Sequence, residues 1–351
     1  MDAKIGWGAA CAAALIGGFV CAGAMPLAAQ EAGPEGAQNS VPIARDFQMQ
    51  RCVNMGNALE APNGAPWGRL YTREDYARIA RAGFDTVRIP VRWSDYTGPA
   101  PDYRIHPDFA ELVDNNIRWA VAHDLKVVLN IHHFDEIMED PDTQRARFAA
   151  LWDQVSLRYS RLPDTVWFEV LNEPHKNLKG AQMRQLQALG LQIIRRDNPT
   201  RIVILGGEEW AGIESLGTNL STDDPNVVYT FHYYDPFNFT HQQAQWLGEN
   251  MPRGTRGWGS GADKEELANA AAIAAAFREA VGRPVFLGEF GVHSPVDPAE
   301  RVEWVGAVKT AMEGADIPWC LWSYGNTFAL YDDATGWDEA MLAALTGTDQ
   351  D

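Results

Sequence analysis

Short apolar runs alternate with longer amphipathic stretches along almost the whole chain, and no other feature limits the possible folds so strongly. The runs rich in Val, Ile, Leu and aromatic residues fall at 52–57, 86–90, 126–131, 166–171, 202–205, 227–231, 285–287 and 319–322. Runs that are apolar throughout, rather than on alternate residues, suit parallel strands covered on both faces. Helical patterns fill the intervals at 72–82, 107–123, 143–162, 181–197, 264–281 and 298–314. The first opens on Thr72 as an N-cap and closes at Gly83, a frequent residue just past a helix end. Alternation carried through eight strands predicts an α/β fold, a (β/α)8 TIM barrel forming a single domain over 46–351. No repeat of short period is present, which argues against a solenoid.

The chain of 351 residues is 46% hydrophobic and 22% charged, the balance of a globular protein. Its net charge of -18 repels phosphate backbones and anionic lipid surfaces, so neither nucleic acid nor a stable membrane partner is expected. A neutral polysaccharide or oligosaccharide is compatible with that charge, and a monomer is expected. Lys4, a nearly uncharged run at 5–24 and small residues near Ala29 read as a secretory signal peptide over 1–29. The apolar run is close to the ~20 residues of a membrane span, so an uncleaved anchor is the alternative. Residues 30–45 read as a flexible lead-in, and either way the domain is exported, secreted or periplasmic. With Cys11 and Cys21 in the leader, the mature chain keeps Cys52 and Cys320, on the first and last strands. A bridge is conceivable if those strands are neighbours in a closed barrel; buried free thiols are the expectation.

In a barrel of this kind the chemistry gathers at the carboxyl ends of the strands. Polar residues collect there: Asn57 at the end of the first strand, Arg88 on the second, His132 and His133 after the third, and Asn172 and Glu173 after the fourth. The sixth is followed by His232, Tyr233, Tyr234 and Asp235, the seventh by Glu289 and the eighth by Trp322. Glu173 and Glu289 each close a run that is otherwise buried, where a bare carboxylate is costly unless chemistry needs it. Two such strands suggest an acid/base and a nucleophile, the apparatus that cleaves a glycosidic bond. Two ordinary surface glutamates are the competing reading, and their polar company speaks against it. The histidines also invite a metal reading, but the first strand carries no His-x-His and zinc needs about three converging ligands. Neither metal nor cofactor is therefore expected. Of the 13 tryptophans about half should serve as core. Trp67, Trp93, Trp210, Trp246 and Trp258 are candidates for stacking platforms, the last within a glycine-rich loop at 253–261.

Five elements together carry a resemblance: Leu171, Asn172, Glu173 and Pro174; His232, Tyr233, Tyr234, Asp235 and Pro236; Gly288, Glu289, Phe290 and Gly291; Asn130, Ile131, His132 and His133; and Arg88, Ile89 and Pro90. The ordered set resembles glycoside hydrolase family 5, the cellulase-type family of retaining barrel enzymes, across residues 46–345. The resemblance implies that Glu173 is the general acid/base, with a pKa above the ~4.3 of a free glutamate, and that Glu289 is the ionised nucleophile. It implies that Asn172 binds the sugar 2-hydroxyl, that Tyr234 orients Glu289, and that His132 and His232 line the cleavage subsite. His133 either lines it too or stands behind it, and Trp322 is the stacking floor. Tyr233 is expected to pack, Arg88 to pair with Glu289 or Glu169, and Glu169 to be structural. The implied activity is that of an endo-β-glucanase on β-1,4 or mixed-linkage glucan. A β-mannanase or glucomannanase is one alternative, and a non-catalytic carbohydrate-binding barrel is another.

Overall fold

The computed structural model describes Ala44 and residues 47–347; the expected leader at 1–29 and lead-in at 30–45, Ala44 excepted, lie outside the described residues. Eight parallel strands close into a barrel in sequence order: β1 (Arg51–Asn54), β2 (Thr86–Ile89), β3 (Lys126–Asn130), β4 (Val166–Glu169), β5 (Val203–Gly206), β6 (Val227–His232), β7 (Val285–Phe290) and β8 (Trp319–Leu321). Their residues are buried almost without exception, as continuously apolar runs require. This is the expected (β/α)8 architecture.

The helices Arg73–Arg81, Pro107–Val121, Pro141–Arg158, Gly180–Asp197, Gly261–Val281 and Pro298–Gly314 cover the barrel. Several begin where the sequence supplies a cap. Asp140, Ser260 and Asp297 each accept backbone N–H groups at a helix start, and Pro141 and Pro298 open their helices where no backbone donor is needed. No long helix separates β5 from β6. Gly207, Gly212 and Gly217 punctuate that segment, which forms a short helix, Glu208–Ala211, and a 3-10 helix, Ile213–Thr218.

Two findings differ from the sequence expectation. The first strand ends at Asn54, not at 57; Asn57 lies beyond it in the left-handed region with φ 62. Cys52 and Cys320 are joined in a disulfide and are not free thiols. Closure of the barrel sets β1 against β8 with Cys52 directly opposite Cys320, Cα to Cα 4.1 Å, and both residues are fully buried. The two belong to an apolar cluster with Phe47, Val128, Trp167, Ile204, Val228 and Phe286, one or more residues from most of the strands. Among the described residues no helix is long and apolar enough to cross a membrane.

Candidate active site

The site is organised around the fully buried Arg88 on β2. Its Nε and Nη2 donate to the two oxygens of Glu169 at 2.6 and 2.7 Å. Its Nη1 donates to Asn54 Oδ1 at 2.9 Å and to Glu289 Oε1 at 2.6 Å, and Nη2 also reaches Asn172 Oδ1 at 2.6 Å. A guanidinium has five N–H donors, and here five acceptors from three strands, β1, β4 and β7, and the β4 loop receive them. Arg88 therefore pairs with both Glu289 and Glu169.

Glu289, near the end of β7, is 4% exposed and receives a second hydrogen bond, from the Tyr234 hydroxyl to Oε2 at 3.0 Å. Burial pushes its pKa upward, opposed by His232 and Arg88. Glu173 follows β4 and adopts φ 43, a conformation that costs a non-glycine residue of order 1–3 kcal/mol and needs external support. That support comes from neighbouring bonds. Asn172 N donates to Ile131 O at 2.9 Å, the His175 ring sits 2.7 Å from Glu173 O, and Trp210 N donates to Pro174 O at 3.1 Å. Burial raises the Glu173 carboxyl to about 7, against the opposing influence of Arg88, His175 and Asn172. Glu289 has a guanidinium and a phenol fixed on its oxygens, whereas Glu173 has neither. Of the coupled pair, Glu289 is the one that ionises first and Glu173 the one that keeps a proton.

His232 stands between the two, with Nδ1 2.8 Å from Glu173 Oε1 and 3.8 Å from Glu289 Oε2. One ligand-type atom each of Glu173, His232 and Glu289 lies within 4.8 Å of the others. Three such atoms are the type that could hold a cation, though Arg88 and Tyr234 already occupy both Glu289 oxygens. His132 Nε2 lies 4.0 Å from Glu289 Oε1, and its ring is stacked on Trp322 at 5.6 Å with 7° between planes. His133 packs edge-on against His132 at 4.6 Å and against the exposed Trp67 at 5.5 Å, away from the carboxyl pair. Burial lowers both histidines, His133 to about 4 and His132 well below its ordinary value. They are neutral. Trp322 lies over Gly56, where any Cβ would come within 3.0 Å of its ring, so a side chain there would displace it.

Not every expected residue joins the group. Asn57 makes no hydrogen bond to either catalytic-type carboxyl; its N–H and that of Ala58 are taken by Glu60, and its buried Oδ1 has no partner. Trp93 is fully buried and donates to Asn130 O at 3.0 Å, so it is core rather than platform. Trp67, Trp210 and Trp246 are exposed, with Trp210 stacked on His175 at 4.9 Å. Tyr233 is buried and stacks on Trp304. Sequence reading missed Asn54 and Glu60, and named Asn130 only within the 130–133 run without giving it a role. Asn54 donates to Gly288 O at 3.0 Å and Leu321 O at 3.1 Å while accepting from Arg88. Glu60 is fully buried near Glu289, and burial raises it to about 7. The only sequence signal for Asn54 was an amide within an otherwise apolar strand.

The cellulase family model of glycosyl hydrolase family 5 matches residues 47–328. The chain belongs to glycosyl hydrolase family 5. This family 5 chain is 33% identical over 319 residues to Endoglucanase H of Acetivibrio thermocellus, a match covering 88% of the chain but 34% of that relative's length. It therefore spans about a third of that relative. Its fold is similar to the cellulose synthase subunit Z (CcsZ) of Clostridioides difficile, with TM-score 0.82, 34% identity, and 85% of this chain and 100% of that one covered. It is equally similar to Thermotoga maritima Cel5A in complex with cellobiose, with TM-score 0.83, 37% identity, and 87% and 99% covered. Cel5A in complex with mannotriose matches at TM-score 0.82 and 37% identity, with 85% and 97% covered. The protein is a glycoside hydrolase with a (β/α)8 barrel.

Proposed function

We propose that this glycoside hydrolase is a retaining endo-β-glucanase that cleaves β-1,4 or mixed-linkage glucan through a covalent glycosyl-enzyme. The observation that carries the reading is the closeness of the two carboxyls, whose ligand-type oxygens lie within 4.8 Å of each other. A retaining pair stands about 5–5.5 Å apart and an inverting pair about 6.5–9.5 Å apart, because the latter must admit a water. Glu289, held ionised by Arg88 and Tyr234, attacks the anomeric carbon. Glu173 delivers its proton to the departing glycosidic oxygen, then takes a proton from the water that resolves the intermediate.

The neighbours fit these roles. A His232 Nδ1–H facing Glu173 Oε1 leaves Oε2 to carry the proton toward the leaving group. Arg88 can only donate, so it must face the oxygen of the Asn172 amide, whose NH2, directed toward Glu173, is placed to serve the sugar 2-hydroxyl as well. Trp322, half-buried above His132, offers its face as the floor for the sugar ring. Export through a leader at 1–29 agrees with the disulfide, since such bonds persist in oxidising compartments.

The test combines stereochemistry with substrate profile. Proton NMR during hydrolysis should show the β-anomer first, and Glu289→Ala should lose roughly three or more decades of turnover and regain part of it with azide. Initial release of the α-anomer would exclude the retaining pathway. A β-mannanase is the second reading, favoured by the likeness to Cel5A in complex with mannotriose. Products from barley β-glucan, carboxymethylcellulose, glucomannan and mannan distinguish it from the first, and no product from any would leave a binding barrel.

A further inference from the structure

Asn130, the last residue of β3, is fully buried. Its side chain has only one possible orientation. The backbone N–H of Val91 points at one amide atom from 3.3 Å, and a backbone N–H can only donate, so that atom is Oδ1. The amide nitrogen then faces His132 Nδ1 at 3.1 Å and Glu169 Oε1 at 3.3 Å. An NH2 group has two hydrogens and no acceptor, which matches one hydrogen to each partner. His132 Nδ1 must accept, so the proton of the neutral ring resides on Nε2.

The groups facing His132 keep it in that state. Arg88 from β2, Arg92 after it, and the adjacent His133 and His232 all disfavour a second proton, as does burial itself. Glu289 from β7 approaches Nε2 only to 4.0 Å, and Trp322 after β8 stacks on the ring face. The Nε2–H is too far from Glu289 Oε1 for a direct bond. A hydroxyl oxygen about 2.8 Å from each would accept from His132 and donate to the carboxylate.

We propose that Asn130 is a positioning residue that fixes His132 as the Nε2–H tautomer, so that His132 presents a donor to a substrate hydroxyl held beside Glu289. The role in substrate binding rests on the glycosidase reading; the tautomer does not. The wrong tautomer of a catalytic base costs about four decades in a Ser-His-Asp enzyme. His132 transfers no proton in the reaction proposed, so its loss as a donor should cost less, about 10–100-fold, as for other residues that act by orienting a contact group.

The test is two-bond proton–nitrogen correlation NMR on the full-length enzyme labelled with 15N-histidine, the His132 signal being assigned by its disappearance in His132→Asn. The expected pattern at neutral pH is a neutral ring protonated on Nε2; an Nδ1-protonated ring or an imidazolium overturns the proposal. Asn130→Asp replaces the donor with a carboxylate that can only accept, so the His132 pattern should change to Nδ1–H or imidazolium. Its kcat/KM on β-glucan should fall about 10–100-fold, and its thermal midpoint should fall too, because a second buried carboxyl then faces Glu169 where Asn130 donated. An unaltered His132 pattern in a folded Asn130→Asp enzyme also overturns it. If that variant does not fold, the wild-type spectrum decides alone. Failure of the wild type to cleave any glycan would remove the glucanase reading and leave the tautomer assignment intact.

Discussion

His232 Nδ1 lies 2.8 Å from Glu173 Oε1, so a single imidazole anchors one oxygen of the proposed acid and leaves the other for its proton. The reaction needs Glu173 protonated and Glu289 ionised. Glu173 is raised to about 7, so kcat/KM should fall as pH rises through about 7, while the acid limb marks Glu289, lifted by burial above 4.5. A bell-shaped profile on β-glucan is expected, and Glu173→Gln should erase its alkaline limb. That variant should also slow natural glucans far more than aryl glycosides with good leaving groups. Equal slowing of both would contradict the acid role.

The barrel was legible because parallel strands covered on both faces leave continuous apolar runs, and because Glu173 and Glu289 interrupt such runs where burial alone would forbid it. What lay hidden depends on partners far along the chain. Cys52 and Cys320, 268 positions apart, become neighbours only through the register in which β1 meets β8. Asn54 reads as an unremarkable strand residue until the carbonyls of Gly288 and Leu321 are set beside it, and the role of Asn130, visible in sequence only as part of a motif, waits on Val91 N fixing its amide. Local pattern also put Asn57 at the end of the first strand, but after the last ladder bond, from Met55 N to Arg88 O, the chain turns from Gly56 onward. The segment between β5 and β6 carries glycines instead of a helical repeat, which explains the missing long helix there.

Glu60 and Glu173 make stability depend on pH. Burial raises both from 4.5 to about 7, so the folded state holds their protons more tightly than the unfolded chain does. Their contribution is fully present below 4.5 and is lost as pH rises through about 7; the rise corresponds to roughly 3 kcal/mol per group. Asp75 acts in the opposite sense. Burial would raise it, but hydrogen bonds from Arg69, Thr72 and Tyr324 outweigh that and hold it well below 3.8, so its contribution fades in acid. Urea midpoints should therefore decline from about pH 5 to about pH 8, and Glu60→Gln should flatten the slope. A midpoint that climbs across that window would refute the assignment.

Gly288 is required by its neighbours on β6. A Cβ there would stand 2.5 Å from Thr230 Oγ1 and 3.2 Å from His232 Cδ2 and Nε2. Gly288→Ala should push the His232 ring and loosen its hold on Glu173, lowering kcat/KM by about 10–100-fold and displacing the alkaline limb of the pH profile. Steady-state kinetics across pH decides; an unchanged limb would mean that His232 does not govern the acid.

The disulfide joins the first and last strands of the barrel, so it closes a loop over a separation of 268 residues in the unfolded chain. Replacing both cysteines by alanine should lower stability by about 2–4 kcal/mol. The measurement is the urea midpoint of the double variant beside the oxidised wild type. Equal midpoints would show that barrel closure does not depend on the bond.

Arg88 separates charge from geometry more sharply than any other position. Its five N–H donors meet five acceptors: both oxygens of Glu169, one of Glu289, and the amide oxygens of Asn54 and Asn172. Lysine keeps the positive charge but brings three donors from one nitrogen, so at least two buried acceptors lose their partner. Each orphaned acceptor costs about 1–3 kcal/mol, which sets the expected destabilisation of Arg88→Lys at about 2–6 kcal/mol. Activity should suffer separately. With the fork gone from Glu289, burial raises that carboxyl further, and the acid limb of the pH profile should move upward while the alkaline limb stays near that of wild type. If charge alone mattered, Arg88→Lys would match wild type in both midpoint and acid limb; a shift in the limb without a loss of stability would instead confine Arg88's effect to Glu289.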